Sequence, residues 1–350
     1  MTAVFYFTII LAFIISFFSG FFYKQIAFKL GIIDEPDNKR KIHTRPTPLL
    51  GGISIYTALI VCVVINYPRF TELMPIILGA TVMLFVNLLD DMRGLSARLR
   101  FAIEVIVAIL MINSGLKVSF LPHGFWGNLG EIIITLIWIV GLTNAFNYLD
   151  GMDGLAAGSA VINLAFFAGI LLMTNQVSLG FFALILGAAC LGFLPHNFSK
   201  EKMFLGDSGS TLLGFIMACL SLIGTWAEHN LVRISIPILI MGVPIFDMIF
   251  TTFIRIKDKK IKNVMEWLKY AGKDHFHHAL VYVGLIPRHA VIFIWAITFA
   301  LGLSAIMVSN DADWEGVVTL LQASIIFLTI GVLIVVGRHR KTGWEKQEKE

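Results

Sequence analysis

The sequence predicts an all-α polytopic integral membrane protein with about eleven transmembrane helices, and three observations support this fold class. Of the 350 residues, 57% are apolar and only 14% are charged, whereas a typical soluble domain has about 25% charged residues. Apolar runs close to the twenty residues that span a bilayer as a helix recur along nearly the whole chain. No polar stretch is long enough for a separate soluble domain. We therefore expect one transmembrane domain at 1–337, followed by a charged tail at 338–350.

Eleven apolar segments are predicted to span the membrane. The first lacks the positive region and the small-residue cleavage site of a signal peptide, so we expect it to be retained. The fourth contains a charged residue, Glu104. Cys62, Cys190 and Cys219 lie inside apolar segments and indicate neither a disulfide framework nor a cysteine metal site. In chain order the predicted spans are 4–23, 50–67, 73–90, 101–116, 129–149, 155–174, 178–195, 208–226, 232–254, 290–309 and 316–336.

The uneven distribution of basic residues between these spans predicts the orientation. One alternate set of connections carries 24 of the 27 Lys and Arg residues, whereas the other set carries only Arg69, Lys117 and Arg233. Lys and Arg accumulate on the cytoplasmic side of membrane proteins. The basic side is therefore predicted to be cytoplasmic, which puts the N-terminus outside and the C-terminus inside.

Acidic, amide and imidazole side chains from four connections are predicted to lie on this cytoplasmic side. A charged side chain within a bilayer costs about 2.5–3.5 kcal/mol or more, so acids where a membrane helix meets water are expected to bind a metal, a metal-bound phosphate or a proton. Four connections that meet at one face suggest one composite site, open to substrates from the cytoplasm. The residues are Asp90 and Asp91; Asp150 and Asp153; His196, Asn197 and Asp207; and His275, His277 and His278.

The motif LLDD (88–91) puts two adjacent carboxylates at a predicted helix end. Neighbouring carboxylates repel, which raises the pKa of one of them unless a cation is near. Such a pair suits a proton acceptor or a metal site, and the alternative is a solvated helix end. Arg93, Arg98 and Arg100 follow directly. Beside the headgroup layer, arginines either hold a lipid phosphate or simply mark the cytoplasmic side.

The motif NAFNYLDGMDGL (144–155) repeats Asn and Asp at three-residue spacing. Steps of three residues drift by about 60° on a helix with 3.6 residues per turn, so these side chains cannot form one straight stripe. Two glycines within the motif allow the backbone to bend. We expect Asn147, Asp150 and Asp153 to surround a pocket at the helix end, and Asn144 to join two helices by hydrogen bonds. The alternative is an Asn- and Asp-rich turn.

The motif FLGDSGST (204–211) follows a polar loop and opens an apolar helix. Free N–H groups at a helix N-terminus favour phosphate. A carboxylate beside such an anion site, here Asp207, is consistent with Mg²⁺ that bridges the two. Phe204 is a candidate to stack on a base, although an aromatic residue at this place is also typical of a core. The motif taken alone equally fits a capped turn.

The motif DHFHH (274–278) contains three histidines on the predicted cytoplasmic side. Zinc is one interpretation, but no cysteine or second histidine pair lies nearby in sequence. We favour histidines that donate hydrogen bonds to a pyrophosphate or a sugar, and an inert solvated cluster is the third alternative. Asp247, near the inner end of the ninth span, is left outside the predicted site.

Taken together, these motifs resemble those of the polyprenyl-phosphate N-acetylhexosamine-1-phosphate transferases. In chain order they are DEPDNKRKIHTRPTPLLGG (34–52), LLDD, NAFNYLDGMDGL, PHNF (195–198), FLGDSGS and DHFHHAL. The His-Phe-His-His order is similar to that of the members that start O-antigen, enterobacterial common antigen or wall teichoic acid. The peptidoglycan translocase I branch usually carries three consecutive histidines. The resemblance therefore implies UDP-GlcNAc as donor and undecaprenyl phosphate as acceptor.

The resemblance also implies a role for each candidate residue. Asp207 is the expected Mg²⁺ ligand, with Asn147 near the metal and Mn²⁺ as a substitute. Asp90 is expected to deprotonate or orient the lipid phosphate, with support from Asp91. Asp150 and Asp153 are expected at the nucleotide sugar, and Phe204 is expected to stack on uracil. Asn197 lies at the position that the family pattern expects for a substrate-binding residue, and Arg98 and Arg100 are expected as basic residues of the substrate site. The histidines expected to contact the pyrophosphate or the sugar are His275, His277 and His278.

The implied activity is transfer of GlcNAc-1-phosphate to undecaprenyl phosphate, with release of UMP. The domain at 1–337 would then be catalytic and multi-pass in the bacterial cytoplasmic (inner) membrane, in contact with membrane lipid and without a nucleic-acid partner. A homodimer is expected by resemblance. Whether the transfer is one displacement or passes through a phosphorylated aspartate stays open.

Three alternatives compete with this hypothesis. A cation-coupled transporter would place its acids near the membrane midplane and often shows repeated halves, whereas the acids here lie at one predicted face and no repeat is seen. A CDP-alcohol phosphotransferase would need a DGxxAR…GxxxD pattern, which this chain lacks. Within the family, translocase I is the second candidate, with a different donor sugar.

Overall fold

The computed structural model describes residues 2–36, 45–199, 201–227, 230–263, 266–267, 270, 272, 274–309 and 313–347. The chain divides into two compact units, Met1–Thr225 and Trp226–Glu350. Secondary structure in both is almost entirely helical, so the predicted all-α fold class is confirmed. The division into one catalytic domain at 1–337 and a tail at 338–350 stays a prediction.

The first unit contains eight α-helices and two very short strands among its described residues. The strands β1 (Ile33–Asp34) and β2 (Thr47–Pro48) pair antiparallel. In chain order the helices are α1 (Thr2–Leu30), α2 (Gly51–Ile65), α3 (Met74–Arg93), α4 (Ala97–Asn113), α5 (Phe125–Leu149), α6 (Leu155–Met173), α7 (Val177–Phe198) and α8 (Gly206–Ile223).

Helix α8 lies at the centre of the first unit. It packs against α2, α3 and α5, and 83% of its residues are buried. Close approach to α2 requires glycine on both helices, because a Cβ on Gly52 would overlap the backbone of Gly209. The motif FLGDSGST is therefore held at one end of a central, tightly packed helix.

The second unit has five helices in its described part: α9 (Asn230–Ile240), α10 (Gly242–Lys257), α11 (Phe276–Tyr282), α12 (Pro287–Val308) and α13 (Asp313–Gln347). Helix α9 packs against α12 and α13. In the apolar stretch of α13 only 17% of the residues are buried, so most of its side chains face outward.

Eight helices of the described residues are long and apolar enough to cross a membrane, or nine if a bent pair counts as one span. Two predicted spans fall outside this set. The predicted span 50–67 is the apolar helix α2 with only 15 residues, and the predicted span 101–116 is α4, which has 17 residues and carries two arginines in its first turn. The number eleven and the orientation of the chain therefore stay predictions.

The predicted span 232–254 is occupied by two helices, α9 and α10, and whether the pair forms one span stays a prediction. Leu231–Ile240 and Gly242–Lys257 are bent by 78° relative to each other. Pro237 lies inside α9, but a proline disturbs the turn that precedes it, so it does not account for a break four residues further on. The bend falls at Met241, whose backbone N–H still donates to the Pro237 carbonyl at 2.9 Å.

Candidate active site formed by carboxylates of the first unit

The last turn of α3 carries the two carboxylates of the LLDD motif. Helix α3 ends at Gly94, whose left-handed backbone (φ +67°) suits glycine. The Gly94 N–H donates to the Asp90 carbonyl at 2.8 Å. Just beyond the turn, the Leu95 N–H donates to the Asp90 carboxylate at 2.5 Å. Asp90 is thus fixed by the local fold of the helix end.

Arg100 connects the carboxylates of two different motifs. Ser96 caps α4 and accepts a hydrogen bond from the Leu99 N–H at 3.3 Å, which sets the first turn that carries Arg100. The guanidinium donates to the Asp90 carboxylate and to Asp207 Oδ2 at 2.7 Å. Residues that are more than a hundred positions apart in sequence are brought together in this way.

Asp91 occupies the N-terminus of α8. Its two carboxylate oxygens accept hydrogen bonds from the backbone N–H groups of Asp207 and Ser208, both at 3.2 Å. An anion at a helix N-terminus is stabilised by free N–H groups and by the helix dipole. The sequence predicted such an anion site at this helix, and in this structure a side chain of the protein fills it.

Gly206 permits the close approach of Asp91 to α8. Its backbone is left-handed (φ +77°), and a Cβ there would lie 2.9 Å from Asp91 Oδ2 and 2.7 Å from the Leu49 carbonyl oxygen. Neither contact distance is compatible with a side chain. Gly206 is therefore required by geometry at this helix start.

Asn147 and Asn144 lie near the end of α5 and take different partners. The Ser210 hydroxyl donates to Asn147 Oδ1 at 2.6 Å, and the Asn147 amide also hydrogen bonds with the Asp207 carboxylate. Asn144 donates to Glu104 Oε2 at 2.5 Å and so joins α5 to α4, as predicted. Glu104 is buried, and the amide of Asn144 gives this carboxylate a hydrogen-bond partner.

Asp150 ends α5 and shares its surroundings with other acids. Burial, followed by the negative charges of Asp207, Asp91 and Asp153, raises the pKa of Asp150 to about 8. The five carboxylates of Asp90, Asp91, Asp150, Asp153 and Asp207 are called the carboxylate cluster below. Among the described residues, Arg100 and Lys202 are the cations that form ion pairs with it. The cluster therefore contains five carboxyl groups but only two paired cations.

Phe204 is held by its backbone in the loop that precedes α8. Its N–H donates to the Pro48 carbonyl at 2.8 Å, and its carbonyl accepts from the Gly51 N–H at 3.1 Å. The ring is half-buried, and the Lys202 ammonium lies 5.1 Å from the ring centroid. The same ammonium donates to both carboxylate oxygens of Asp153, at 2.9 and 2.8 Å.

Asn197 connects two loops of this site. Its side-chain oxygen accepts a hydrogen bond from the Gly154 N–H at 2.5 Å, and its amide donates to the Met203 carbonyl at 2.9 Å. The side chain is only 2% exposed. In this structure Asn197 positions the loops that carry Asp153 and Phe204, and its predicted substrate contact stays a prediction. Arg98, by contrast, is exposed on the first turn of α4.

The oxygen-rich cluster fits a hard divalent cation. Mg²⁺ typically takes one or two carboxylates and completes its octahedron with waters and substrate phosphate. The Asp207 carboxylate and the Asn147 side-chain amide lie together, and five carboxyl groups paired with only two cations favour a further cation there. Within the described residues, no group of three His, Cys, Asp or Glu side chains is arranged as a metal site.

The histidine motif belongs to the second unit and forms a buried network there. Asp274 binds the Arg255 guanidinium through two hydrogen bonds, at 3.0 and 2.7 Å. Arg255 Nη2 also lies 3.1 Å from His275 Nε2, and His275 Nδ1 lies 3.0 Å from Asp247 Oδ2. All four residues are buried. Burial would raise the pKa of Asp274, but the hydrogen bonds and charge of Arg255 hold it below its usual value.

This network determines the tautomer of His275. A guanidinium only donates, so His275 Nε2 accepts from Arg255, and Nδ1 carries the proton that is donated to Asp247. A ring nitrogen that accepts from arginine has no lone pair for zinc. His277 lies buried next to it with neither ring nitrogen hydrogen bonded. Burial, together with the neighbouring His278, lowers the pKa of His277 to about 3.

The structure groups the predicted residues into two sets. Within the first unit it brings together the carboxylate cluster, Asn147, Asn197, Phe204 and Arg100. His275, His277 and His278 lie in the second unit. Sequence reasoning missed Lys202, Glu104, Arg255 and Asp274 as partners of site residues. Their signal was weak: Asp274 adjoins the histidines, but the basic residues are also explained by topology.

Comparison with known proteins supports the resemblance found in the motifs. The model of glycosyl transferase family 4 matches residues 73–225, which include the whole carboxylate cluster. A probable undecaprenyl-phosphate N-acetylglucosaminyl 1-phosphate transferase of Bacillus subtilis is 37% identical over 321 residues, which are 90% of this chain and 86% of that protein.

Two further relatives are more distant but equally extensive. An undecaprenyl-phosphate alpha-N-acetylglucosaminyl 1-phosphate transferase of Escherichia coli is 29% identical over 88% of this chain and 85% of its own. A decaprenyl-phosphate N-acetylglucosaminephosphotransferase of Mycobacterium tuberculosis is 27% identical over 93% of this chain and 85% of its own. The motifs, the matched family model and these near full-length relatives agree, and the chain therefore belongs to glycosyl transferase family 4, among the polyprenyl-phosphate N-acetylhexosamine-1-phosphate transferases.

Proposed function

We propose that this protein transfers GlcNAc-1-phosphate from UDP-GlcNAc to undecaprenyl phosphate in the bacterial cytoplasmic membrane. UMP is released and undecaprenyl-PP-GlcNAc is formed. The observation that carries the proposal is the carboxylate cluster, which gathers Asp90, Asp91, Asp150, Asp153 and Asp207 at helix ends. Within it, Arg100 pairs with Asp90 and Asp207. The names of the relatives support the donor sugar and the polyprenyl acceptor.

The reaction is a phosphoryl transfer in which the protein mainly positions charge. An oxygen of the lipid phosphate forms a bond to the β-phosphorus of UDP-GlcNAc. The bond from this phosphorus to the oxygen between the two phosphates breaks, and UMP leaves with that oxygen and the electron pair. Asp90, with Asp91 beside it, is proposed to take the proton of the lipid phosphate or to orient it.

Asp207, with Asn147, is proposed to hold Mg²⁺ or Mn²⁺. The bound cation would supply positive charge to the pyrophosphate as the bond to UMP breaks. Arg100 already spans Asp90 and Asp207. Because the guanidinium can exchange one of these carboxylates for a phosphate oxygen, it is suited to neutralise the transferred group.

The other predicted roles complete the proposal. Phe204 is assigned to uracil, Asp150 and Asp153 to the nucleotide sugar, and Arg98 to the lipid headgroup side of the site. For His275, His277 and His278, hydrogen bonds to the pyrophosphate or sugar stay a prediction. The product is proposed to start O-antigen, common antigen or wall teichoic acid synthesis, and a homodimer is proposed by family resemblance.

The decisive experiment measures UMP release by the purified full-length protein with undecaprenyl phosphate. The donors compared are UDP-GlcNAc, UDP-GalNAc and UDP-MurNAc-pentapeptide, with Mg²⁺ and with EDTA. We expect turnover with UDP-GlcNAc and loss of turnover in EDTA. A preference for UDP-MurNAc-pentapeptide would instead identify a translocase I. If no donor gave UMP, the transferase proposal would be rejected in favour of the transporter hypothesis.

Asp207→Asn tests the metal assignment. We expect it to abolish Mg²⁺-dependent turnover while the protein keeps its thermal stability, because the neutral amide binds Mg²⁺ poorly. Asp258→Asn, an acid of the exposed pair with Lys260, is the matched control and should keep full activity. Full activity of Asp207→Asn would refute the assignment, and a trapped phospho-aspartate would refute the single displacement.

A further inference from the structure

Lys202 is placed between two residues of the donor site. Its ammonium pairs with both carboxylate oxygens of Asp153, at 2.9 and 2.8 Å, and lies 5.1 Å from the centroid of the Phe204 ring. The Lys202 side chain is 24% exposed and that of Asp153 is 44% exposed. Sequence reasoning assigned no role to Lys202.

Stability alone does not explain this placement. Partly exposed ion pairs contribute little to stability, and a cation over a partly exposed aromatic ring adds only a small amount. Ordering the long lysine side chain costs conformational entropy of similar size. Lys202 is therefore held in one position with little net gain in the stability of the fold.

The charges of the site point to a ligand for this cation. The carboxylate cluster repels an anionic donor, and among the described residues Arg100 and Lys202 are the cations that pair with it. Arg100 is engaged by Asp90 and Asp207. Lys202 pairs with the carboxylate of Asp153, which is itself close to half exposed.

The position of Lys202 also overlaps with the proposed donor site. The chain between Lys202 and Asp207 is short, and Phe204 lies between them. The Lys202 ammonium lies over the face of the Phe204 ring. A base that stacks on this face would displace the ammonium. The flexible four-carbon stem lets the ammonium move away from the ring and remain within the site.

We propose that Lys202, which pairs with Asp153 over the Phe204 ring, binds the diphosphate of the nucleoside-diphosphate sugar. This inference rests on the proposed function, because it takes the donor to be a uridine diphosphate sugar. When the base stacks on Phe204, the ammonium exchanges the Asp153 carboxylate for phosphate oxygens. Lys202 is thus a binding residue that sets donor affinity.

The test compares Lys202→Met with the wild-type protein. We expect KM for UDP-GlcNAc to rise about tenfold, as loss of one charged hydrogen bond predicts, while kcat changes less than about threefold. Lys202→Arg should restore most of the affinity. Lys24→Met is the matched control, because Lys24 pairs with Glu201 of the same loop at 2.9 Å and should leave KM unchanged.

A second measurement separates phosphate binding from a structural effect. Calorimetry on the full chain in detergent compares UDP with uridine. We expect Lys202→Met to weaken UDP binding about tenfold and to leave uridine binding unchanged. Equal weakening for both ligands, an unchanged UDP affinity or a lowered KM would each overturn the proposal.

Failure of the proposed function gives a different result. In that case the wild-type protein releases no UMP from UDP-GlcNAc, whatever residue stands at position 202. The calorimetric comparison needs no turnover and so still decides the role of Lys202.

Discussion

Arg100 shows how much of this site depends on one side chain. It is the link between Asp90 at the end of α3 and Asp207 at the start of α8. A planar guanidinium can serve both carboxylates and can exchange one of them for phosphate. Lysine, with a point charge, cannot keep both contacts in the same geometry. The identity of this residue therefore matters more than its charge.

His277 offers a prediction at the residue scale that depends on pH. Its pKa is lowered from 6.5 to about 3 in the folded protein, so between these values the unfolded chain binds more protons. Below pH 6.5 this difference lowers the free energy of unfolding by about 1.4 kcal/mol for each pH unit. Above pH 6.5 His277 is neutral in both states and the loss is absent. His277→Gln should remove this part of the slope.

Thermal unfolding in detergent at pH 7.5, 6.5 and 5.5 measures the slope. The exposed His123 provides the control, since His123→Gln should leave the slope as in the wild type. An identical pH dependence for wild type and His277→Gln would contradict the buried, unpartnered imidazole.

At the scale of elements, the start of α8 is stabilised by a side chain from another helix. Asp91 accepts hydrogen bonds from two N–H groups that have no partner within α8. Asp91→Ala should lower the free energy of unfolding by about 1–3 kcal/mol, because two donors become unpaired. Asp91→Asn keeps an acceptor and should lose less. Equal melting temperatures of Asp91→Ala and the wild type would exclude this contact.

The crossing of α2 and α8 gives a second prediction at this scale. A Cβ on Gly52 would lie 3.1 Å from the Ser208 carbonyl carbon and closer still to Gly209, so Gly52→Ala should destabilise the protein by about 1–3 kcal/mol. A Cβ on Gly169 in α6 would have no neighbouring atom within 4 Å among the described residues. Gly169→Ala should therefore be neutral or stabilising by about 0.5–1 kcal/mol. Melting temperatures of both variants in detergent decide the matter.

At the scale of the whole molecule, the charge distribution predicts the orientation. With 24 of 27 basic residues on one side, the C-terminus is expected in the cytoplasm and the N-terminus outside. A fluorescent protein that matures only in the cytoplasm should fluoresce when fused to the C-terminus and stay dark at the N-terminus. Fluorescence from both fusions would require an even number of spans.

Local features of the chain were predictable from the sequence to different degrees. Helices such as α5, α6 and α7 follow from apolar length alone, because a membrane span needs a continuous apolar run. The bend between α9 and α10 was missed, since it falls inside an apolar run that looks uninterrupted. Motif residues such as Asp207 and Asn147 were found by their unusual polarity at helix ends.

The sequence by itself determined the all-α membrane class, the candidate acids and the family, because composition and motifs are local properties of the chain. Only the tertiary structure decided which groups meet. Asp91 caps α8, Arg100 joins Asp90 to Asp207, Lys202 covers Phe204, and Asp247 sets the tautomer of His275. Some of these contacts join segments that are distant in sequence, and the others depend on the direction in which a side chain points. Tertiary packing determines which segments meet and where their side chains point.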